Sequence, residues 1–155
     1  MTKSAGILAY RGSGAGLEVF LVHPGGPFYA RKDAGAWTIP KGEFEDDEEP
    51  LAAAQREFLE ETGIPVSGKF LALSPFRQKS GKTIYAWAIE ADFDAGLVSS
   101  NHFEMEWPPK SGKFKSFPEV DRGAWYSMAE AMVKILPAQQ PVLLELPGLL
   151  KEISS

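Results

Sequence analysis

Three glutamates carry the strongest chemical signal in the sequence. Glu57, Glu60 and Glu61 are spaced i, i+3 and i+4, so a helix would place their carboxylates on one side. Like charges at this spacing destabilise an isolated helix by roughly 0.2–0.5 kcal/mol per pair. Oxygen ligands without a neighbouring Cys or His suit a hard cation such as Mg²⁺ or Mn²⁺. The pattern therefore predicts a metal site, although a solvated helix face is the alternative for any isolated pattern of this kind.

The surrounding stretch, residues 42–64, reads GEFEDDEEPLAAAQREFLEETGI and contains nine carboxylates. Gly42 is followed after five residues by Glu48, and seven further residues lead to the run REFLEETGI at 56–64. This spacing resembles the signature of the Nudix family position for position. Phe58 departs slightly from it, because that position is more often aliphatic in the family.

The resemblance implies an α/β fold, namely a Nudix-type α/β/α sandwich with a mixed β-sheet. It implies hydrolysis of a nucleoside diphosphate linked to another group, by water attack on phosphorus. The implied cofactor is Mg²⁺ or Mn²⁺, and the family's metal-binding positions correspond to the carbonyl of Gly42, Glu57, Glu60 and Glu61. Arg56 corresponds to an arginine that orients these carboxylates through charge-assisted hydrogen bonds. Glu48 corresponds to a glutamate whose role is more structural.

A general base often comes from outside the helix in this family, and Glu119 is the first candidate here. It lies shortly before Trp125, in a segment that resembles the family's acidic residue ahead of a Trp-containing strand. Asp121 and Glu104 are alternatives. For each of the three, an ordinary surface carboxylate is the competing interpretation.

Candidate substrate contacts lie on both sides of the acidic stretch. Residues 37–42, WTIPKG, resemble a segment of diadenosine polyphosphate hydrolases in the Nudix family. Lys41 could contact phosphate there as a point charge, with a solvated lysine as the alternative. Tyr85 and Trp87 share a predicted strand face and could stack a base, with core packing as the alternative. Weaker phosphate candidates, for which surface charge is the alternative, are Arg31, Lys32, Lys79 and Lys82.

Length, composition and net charge exclude several classes of protein. The 155 residues, 44% hydrophobic and 24% charged, suit a single compact domain over residues 1–155. A formal net charge of −5 argues against duplex nucleic acid as a partner, and no apolar run is long enough to span a membrane. The absence of cysteine excludes a disulfide framework and is compatible with a cytoplasmic protein. We expect a monomer or homodimer.

Hydrophobic patterning predicts a helix that begins near residues 48–50 and ends at Gly63. Its buried stripe is predicted to contain Leu51, Ala54, Phe58 and Leu59. Strands are predicted at 4–10 and 17–23, which form a hairpin, and at 69–76, 82–93, 103–107 and 124–126. Lys41 and Gly42 are predicted to open an acidic loop, and 108–118 to form a long loop. A second helix is predicted to begin after Ser127, and a third over 141–153, interrupted near 147–148.

The leading functional prediction is a metal-dependent pyrophosphohydrolase acting on a dinucleoside polyphosphate or a (d)NTP. ADP-ribose and nucleotide sugars rank behind these substrates. A non-catalytic nucleotide-sensing module is the second hypothesis, which the intact acidic motif disfavours. An isomerase or an RNA-cap-directed enzyme of the same superfamily is a third, because fold analogy alone does not separate these activities.

Overall fold

A central sheet carries two layers of helices in the computed structural model, which describes residues 2–154. The strands are β1 (Lys3–Arg11), β2 (Glu18–Pro24), β3 (Lys41–Phe44), β4 (Leu71–Ala72), β5 (Phe76–Arg77), β6 (Thr83–Glu90), β7 (His102–Glu106), β8 (Phe114–Pro118) and β9 (Val120–Ser127). The helices are α1 (Pro50–Thr62), α2 (Met128–Lys134) and α3 (Gln140–Ser154), with short 3₁₀ turns at Gly14–Gly16, Ala95–Leu97 and Pro137–Gln139.

Strand β1 lies at the centre of the main sheet, and its residues 4–10 are all buried. Burial on both faces explains why this strand is a nearly continuous apolar run rather than an alternating one. It pairs in parallel with β6 and antiparallel with β2 and β3, which confirms the predicted mixed sheet and the β1–β2 hairpin. Residues 3–6 of β1 pair with β3, whereas residues 10–11 pair with β2.

The two helical layers bury separate apolar clusters. Helix α1 packs on one face of the sheet through Phe58, which contacts Phe20 and Phe93 with ring centroids 6.1 and 6.2 Å apart. Helices α2 and α3 cover the opposite face, where Leu143 and Leu146 of α3 are fully buried. This arrangement confirms the predicted α/β/α sandwich.

Helix α1 has the predicted bounds. Pro50 is its first residue, and Gly63 follows its last residue with a left-handed φ of 72°. Ala54 and Phe58 are buried as predicted, but Leu59 is 49% exposed and that prediction is wrong. The buried stripe follows the i, i+4 row from Ala54 through Phe58 to Thr62, so Leu59 lies beside it.

Three other predictions of secondary structure are wrong. Residues 41–44 form strand β3 instead of a loop, because they pair with β1. The predicted strand at 69–76 is reduced to β4 and β5, with Pro75 between them, where a proline cannot donate to a strand ladder. Residues 114–118, predicted as loop, form β8 and pair with β7 in a separate two-stranded sheet.

The predicted interruption of the third helix is also wrong. Helix α3 continues through Pro147, which lies on its exposed side. Burial of the neighbouring leucines against the sheet compensates for the hydrogen bond that the proline removes. Within residues 2–154, no helix is both long and apolar enough to cross a membrane.

Candidate active site

Arg56 organises the carboxylates on the exposed side of α1. Its Nε and Nη2 atoms donate to the two carboxylate oxygens of Glu48, each at 2.8 Å, while Nη1 donates to Glu57 Oε1 at 2.8 Å and to Glu60 Oε2 at 3.3 Å. The Glu48 carboxylate raises the pKa of Arg56, and the guanidinium lowers the pKa of Glu48. Bidentate pairing of this kind fixes the plane of the guanidinium and hence the position of Nη1.

Glu57 lies against the main chain of β3 at Gly42. A Cβ atom built at position 42 would lie 2.0 Å from Glu57 Oε2, so only glycine lets the carboxylate approach the strand this closely. Burial raises the pKa of Glu57, while its hydrogen bond with Arg56 acts in the opposite direction. The structure therefore holds one carboxylate of the motif between the helix and the strand.

Glu61 is the most deeply placed carboxylate of the motif. Its Oε1 atom accepts a hydrogen bond from the backbone N–H of Lys41 at 3.1 Å. Burial raises the pKa of Glu61 to about 8 and lowers the pKa of the Lys41 ammonium, with their mutual attraction opposing both shifts. An ionised carboxylate at this depth is costly unless positive charge lies nearby, and the Lys41 ammonium provides part of that charge.

Glu119 is held beside α1 by a series of main-chain hydrogen bonds. The Asn101 N–H donates to the Glu60 carbonyl at 2.9 Å, and the Glu119 N–H donates to the Asn101 carbonyl at 2.8 Å. The Gly25 N–H donates in turn to the Glu119 carbonyl at 3.0 Å. At the end of α1, a Cβ at Gly63 would lie 2.8 Å from the Ser99 carbonyl oxygen, so the left-handed glycine also permits this close approach.

These side chains line a single cleft of about 460 Å³. It brings together most of the residues predicted from the sequence. The cleft is lined by Ser4, Lys41, Gly42, Glu43, Glu57, Glu60, Glu61, Lys82, Asn101 and Glu119. We call it the acidic cleft.

An adjoining cavity of about 300 Å³ shares Lys41, Glu61 and Glu119 with the acidic cleft. Its other walls mix apolar and hydrogen-bonding side chains, and Tyr29 contributes an aromatic ring that is 41% exposed. The remaining lining residues are Pro24, Thr38, Gln78, Val120 and Leu136.

Tyr85 and Trp87 are not brought to the acidic cleft. Both share one face of β6, as the spacing predicts, but they pack against the apolar cluster under α1, with the Tyr85 ring 6.1 Å from that of Phe44. Strand alternation therefore located their shared face correctly but could not show which layer covers it.

The alternative bases also lie elsewhere. Asp121 accepts from the Nδ1 atom of the buried His23 at 3.0 Å, and Glu104 is exposed on β7. Neither lines the acidic cleft, whereas Glu119 does.

Sequence reasoning missed Ser4, Glu43 and Asn101 as cleft residues. Ser4 left one usable signal, since it is a polar residue at the start of a run that is otherwise apolar. Glu43 and Asn101 left none, because their positions depend on which strand pairs with β1 and on the chain that returns to the end of α1.

The donor set of the acidic cleft suits a hard divalent cation. Glu57, Glu60, Glu61 and Glu119 offer only carboxylate oxygens, and the close approach of Glu57 to Gly42 adds main-chain atoms nearby. In the part of the chain that the structure describes, no group of three or more His, Asp or Glu side chains is already gathered around one point. Glu57 and Glu60 are instead hydrogen-bonded to Arg56.

Comparison with known proteins matches residues 1–146 to the model of the NUDIX domain. A rat protein, bis(5'-nucleosyl)-tetraphosphatase (asymmetrical), is 36% identical over 80 residues, covering 46% of this chain and 54% of the rat protein. The chain thus spans about half the length of that relative.

Solved structures show the same fold. A C. elegans Ap4A hydrolase, solved as a binary complex, superimposes with a TM-score of 0.57 at 22% identity, covering 99% of this chain and 96% of that one. A Listeria monocytogenes protein named as a NUDIX hydrolase has a TM-score of 0.62 at 20% identity, with coverages of 99% and 97%.

Proposed function

Because this chain belongs to the Nudix family, we propose that it is a divalent-metal-dependent pyrophosphohydrolase whose substrate is a dinucleoside polyphosphate. The observation that carries the proposal is the acidic cleft, in which the motif carboxylates of α1, Glu119 and Lys41 line one space. The names of the rat relative and of the C. elegans neighbour support this class of substrate.

The metal would be held by the carboxylates of Glu57, Glu60 and Glu61 and by the carbonyl of Gly42. A bound Mg²⁺ or Mn²⁺ supplies positive charge that neutralises the polyphosphate and makes water more acidic. Arg56 orients Glu57 and Glu60 through the hydrogen bonds described above.

Glu119 acts as the general base in this proposal. It accepts a proton from the attacking water, whose oxygen forms a bond to phosphorus while the P–O anhydride bond breaks and the leaving nucleotide departs with the electron pair. The main-chain bonds to Asn101 and Gly25 fix Glu119 relative to α1. Lys41, on the same cleft, supplies charge to a phosphate oxygen.

In this proposal, the cavity beside the acidic cleft binds a nucleoside at one end of the substrate. It borders the candidate reaction centre at Lys41, Glu61 and Glu119, and the exposed ring of Tyr29 offers a stacking surface. This arrangement replaces Tyr85 and Trp87, which pack against the apolar cluster under α1, as the proposed base contact.

A substrate panel with Mg²⁺ or Mn²⁺ tests the proposal. Diadenosine tetraphosphate, ATP, dGTP and ADP-ribose would be incubated with wild type, Glu60→Gln and Glu61→Gln, and nucleotide products separated by ion-exchange chromatography. We expect diadenosine tetraphosphate to give AMP and ATP, with turnover at least about 100-fold lower in both variants because a metal-ligand charge is lost. Retained turnover in both variants, or no hydrolysis of any substrate by wild type, would contradict the proposal.

A further inference from the structure

His23 is a fully buried titratable residue that does not line the acidic cleft. It lies on β2, and its ring packs edge-on against Trp37 with centroids 5.2 Å apart. Its Nδ1 atom lies 3.0 and 3.1 Å from the two carboxylate oxygens of Asp121, and its Nε2 atom lies 2.6 Å from the carbonyl oxygen of Lys32. The buried ring therefore connects β9 to the loop that follows β2.

A β-bulge brings the Asp121 carboxylate to this ring. His23 pairs with Arg122 and Pro24 pairs with Val120, so Asp121 is an extra residue between the two pairs. Bulges redirect a side chain relative to the regular alternation of a strand and are common next to active sites. Here the carboxylate meets the imidazole ring and also accepts from Arg122 Nη1 at 3.5 Å.

Both partners of the His23 ring are hydrogen-bond acceptors. The Lys32 carbonyl carries no hydrogen, and an ionised Asp121 carboxylate carries none either. A neutral ring has one N–H, so it would leave the lone pair of its other nitrogen against an acceptor. The ring that satisfies both contacts is the imidazolium, and the Asp121 carboxylate balances its buried charge.

The contact with Lys32 reaches Tyr29 through a single turn. The Lys32 N–H donates to the Tyr29 carbonyl at 3.0 Å, and the Lys32 ammonium lies 5.3 Å from the centre of the Tyr29 ring. We call residues 25–36 the Tyr29 loop. Residues 28–34 of this loop are exposed, so the hydrogen bond to the buried His23 ring anchors a segment that has few buried contacts of its own.

We propose that His23 is a positioning residue for nucleoside binding. Its imidazolium holds the Tyr29 loop to Asp121 and so keeps the Tyr29 ring at the cavity that adjoins the acidic cleft. This inference rests on the proposed function for the identity of the ligand as the nucleoside end of a polyphosphate. Because Arg56 and the carboxylates of α1 lie outside this arrangement, loss of His23 should affect substrate binding rather than the chemical step.

Steady-state kinetics with diadenosine tetraphosphate test this role. His23→Phe keeps an aromatic ring against Trp37 but removes both donors, so we expect KM to rise about tenfold while kcat changes less than about twofold. Val19→Ala is the matched control, because Val19 is a fully buried residue of β2 that does not line the cavity, and its kinetic constants should stay close to those of wild type. An unchanged KM in His23→Phe, or a fall in kcat alone, would overturn the positioning role.

A double-mutant cycle measures whether His23 acts through Tyr29. We expect Tyr29→Ala also to raise KM by about tenfold, because it removes the stacking surface. The double variant should then have no larger KM than Tyr29→Ala, since both substitutions remove the same contact. Effects that multiply to about 100-fold would show that the two residues act independently, contrary to the proposal.

Histidine NMR tests the ring in a protein that retains His23. The chain contains two histidines, and His102 is exposed on β7, so spectra of His102→Gln contain the ring signals of His23 alone. We expect long-range ¹H–¹⁵N spectra at neutral pH to show hydrogen on both ring nitrogens. A ring with one bare nitrogen would overturn the proposal even if His23→Phe failed to fold.

Amide hydrogen exchange separates this inference from the proposed function. In His23→Phe the Lys32 N–H should exchange about tenfold faster than in wild type, because its turn has lost an anchor. The Leu17 N–H, which closes a turn just before β2, is the control. Faster exchange at Lys32 with no hydrolysis by wild type supports the anchor and rejects the proposed function. Hydrolysis by wild type with unchanged exchange at Lys32 gives the reverse result.

Discussion

The two walls of the acidic cleft differ in how completely their polar groups are paired. On the helical wall, Arg56 contacts three carboxylates, and Glu61 accepts a main-chain hydrogen bond. On the sheet wall, Ser4 has no partner among the described residues and Lys82 meets Glu43 at 3.5 Å. The polar groups of the helical wall are thus fixed by hydrogen bonds, whereas those of the sheet wall are weakly paired or unpaired among the described residues.

The largest effect is expected from a substitution that removes the packing of α1 against the sheet. Phe58 is fully buried beneath α1 against Phe20 and Phe93, so Phe58→Ala should lower the free energy of unfolding by about 3–5 kcal/mol. Denaturant unfolding measures this change. Leu59→Ala is the neighbouring control and should cost less than about 1 kcal/mol, because Leu59 is half exposed. Equal losses at the two positions would show that α1 packs through a different stripe.

The next largest effect is expected at Glu119, which lies beside α1 but is not part of it. Glu119→Gln should lower kcat by about 100-fold with little change in the melting temperature, because the substitution removes a base but keeps the main-chain bonds. Glu104→Gln serves as the control for loss of one surface charge. A change of less than a few-fold in Glu119→Gln would assign proton transfer to another group.

Arg56→Lys keeps the positive charge but removes the planar guanidinium that donates to several carboxylates at once. Lysine cannot donate simultaneously to both oxygens of Glu48 and to Glu57, so the carboxylates of the helical wall lose their common partner. We expect kcat/KM to fall by about 10- to 100-fold. An unchanged kcat/KM in Arg56→Lys would show that the guanidinium does not position these carboxylates.

A further expected effect is a pH dependence of stability from Glu61. Burial raises the pKa of this carboxyl to about 8 in the folded protein, whereas the unfolded chain releases the proton near the ordinary value of about 4.5. Between these values the folded state binds the extra proton, so the contribution of Glu61 to stability falls as the pH rises. In metal-free protein, the free energy of unfolding of Glu61→Gln minus that of wild type should increase from pH 5 to pH 8. A difference that stays constant over this range would contradict the buried position of the carboxyl.

The sequence predicts the helical wall well because its determinants are local. Pro50, Gly63 and the glutamates between them lie on one element, and their relative positions follow from helical spacing alone. The bidentate contact between Glu48 and Arg56 adds a loop residue only two positions before the helix. The mixed sheet and the two helical layers also follow from the family resemblance.

The sequence predicts little of the sheet wall, because its residues lie on or next to three different strands. Ser4, Glu43 and Lys82 come together only when β3 and β6 pair with opposite edges of β1. Because residues 41–44 are predicted as a loop, the sequence does not predict the β1–β3 pairing. Tyr85 and Trp87 show the same limitation, since their alternation predicts a shared face but not its cover. Leu59 is a further example, because its apolar character predicts burial but the side chain is half exposed.

Main-chain hydrogen bonds link Gly25, Glu119 and Asn101 to α1, so the position of Glu119 does not depend on the side chain that it carries. Because none of these contacts uses a side chain, substitutions at positions 101 and 119 can alter what the cleft binds or how protons move without altering the spacing between its two acidic parts. New reactivity can therefore arise in this scaffold by exchanging side chains on a backbone frame that stays fixed.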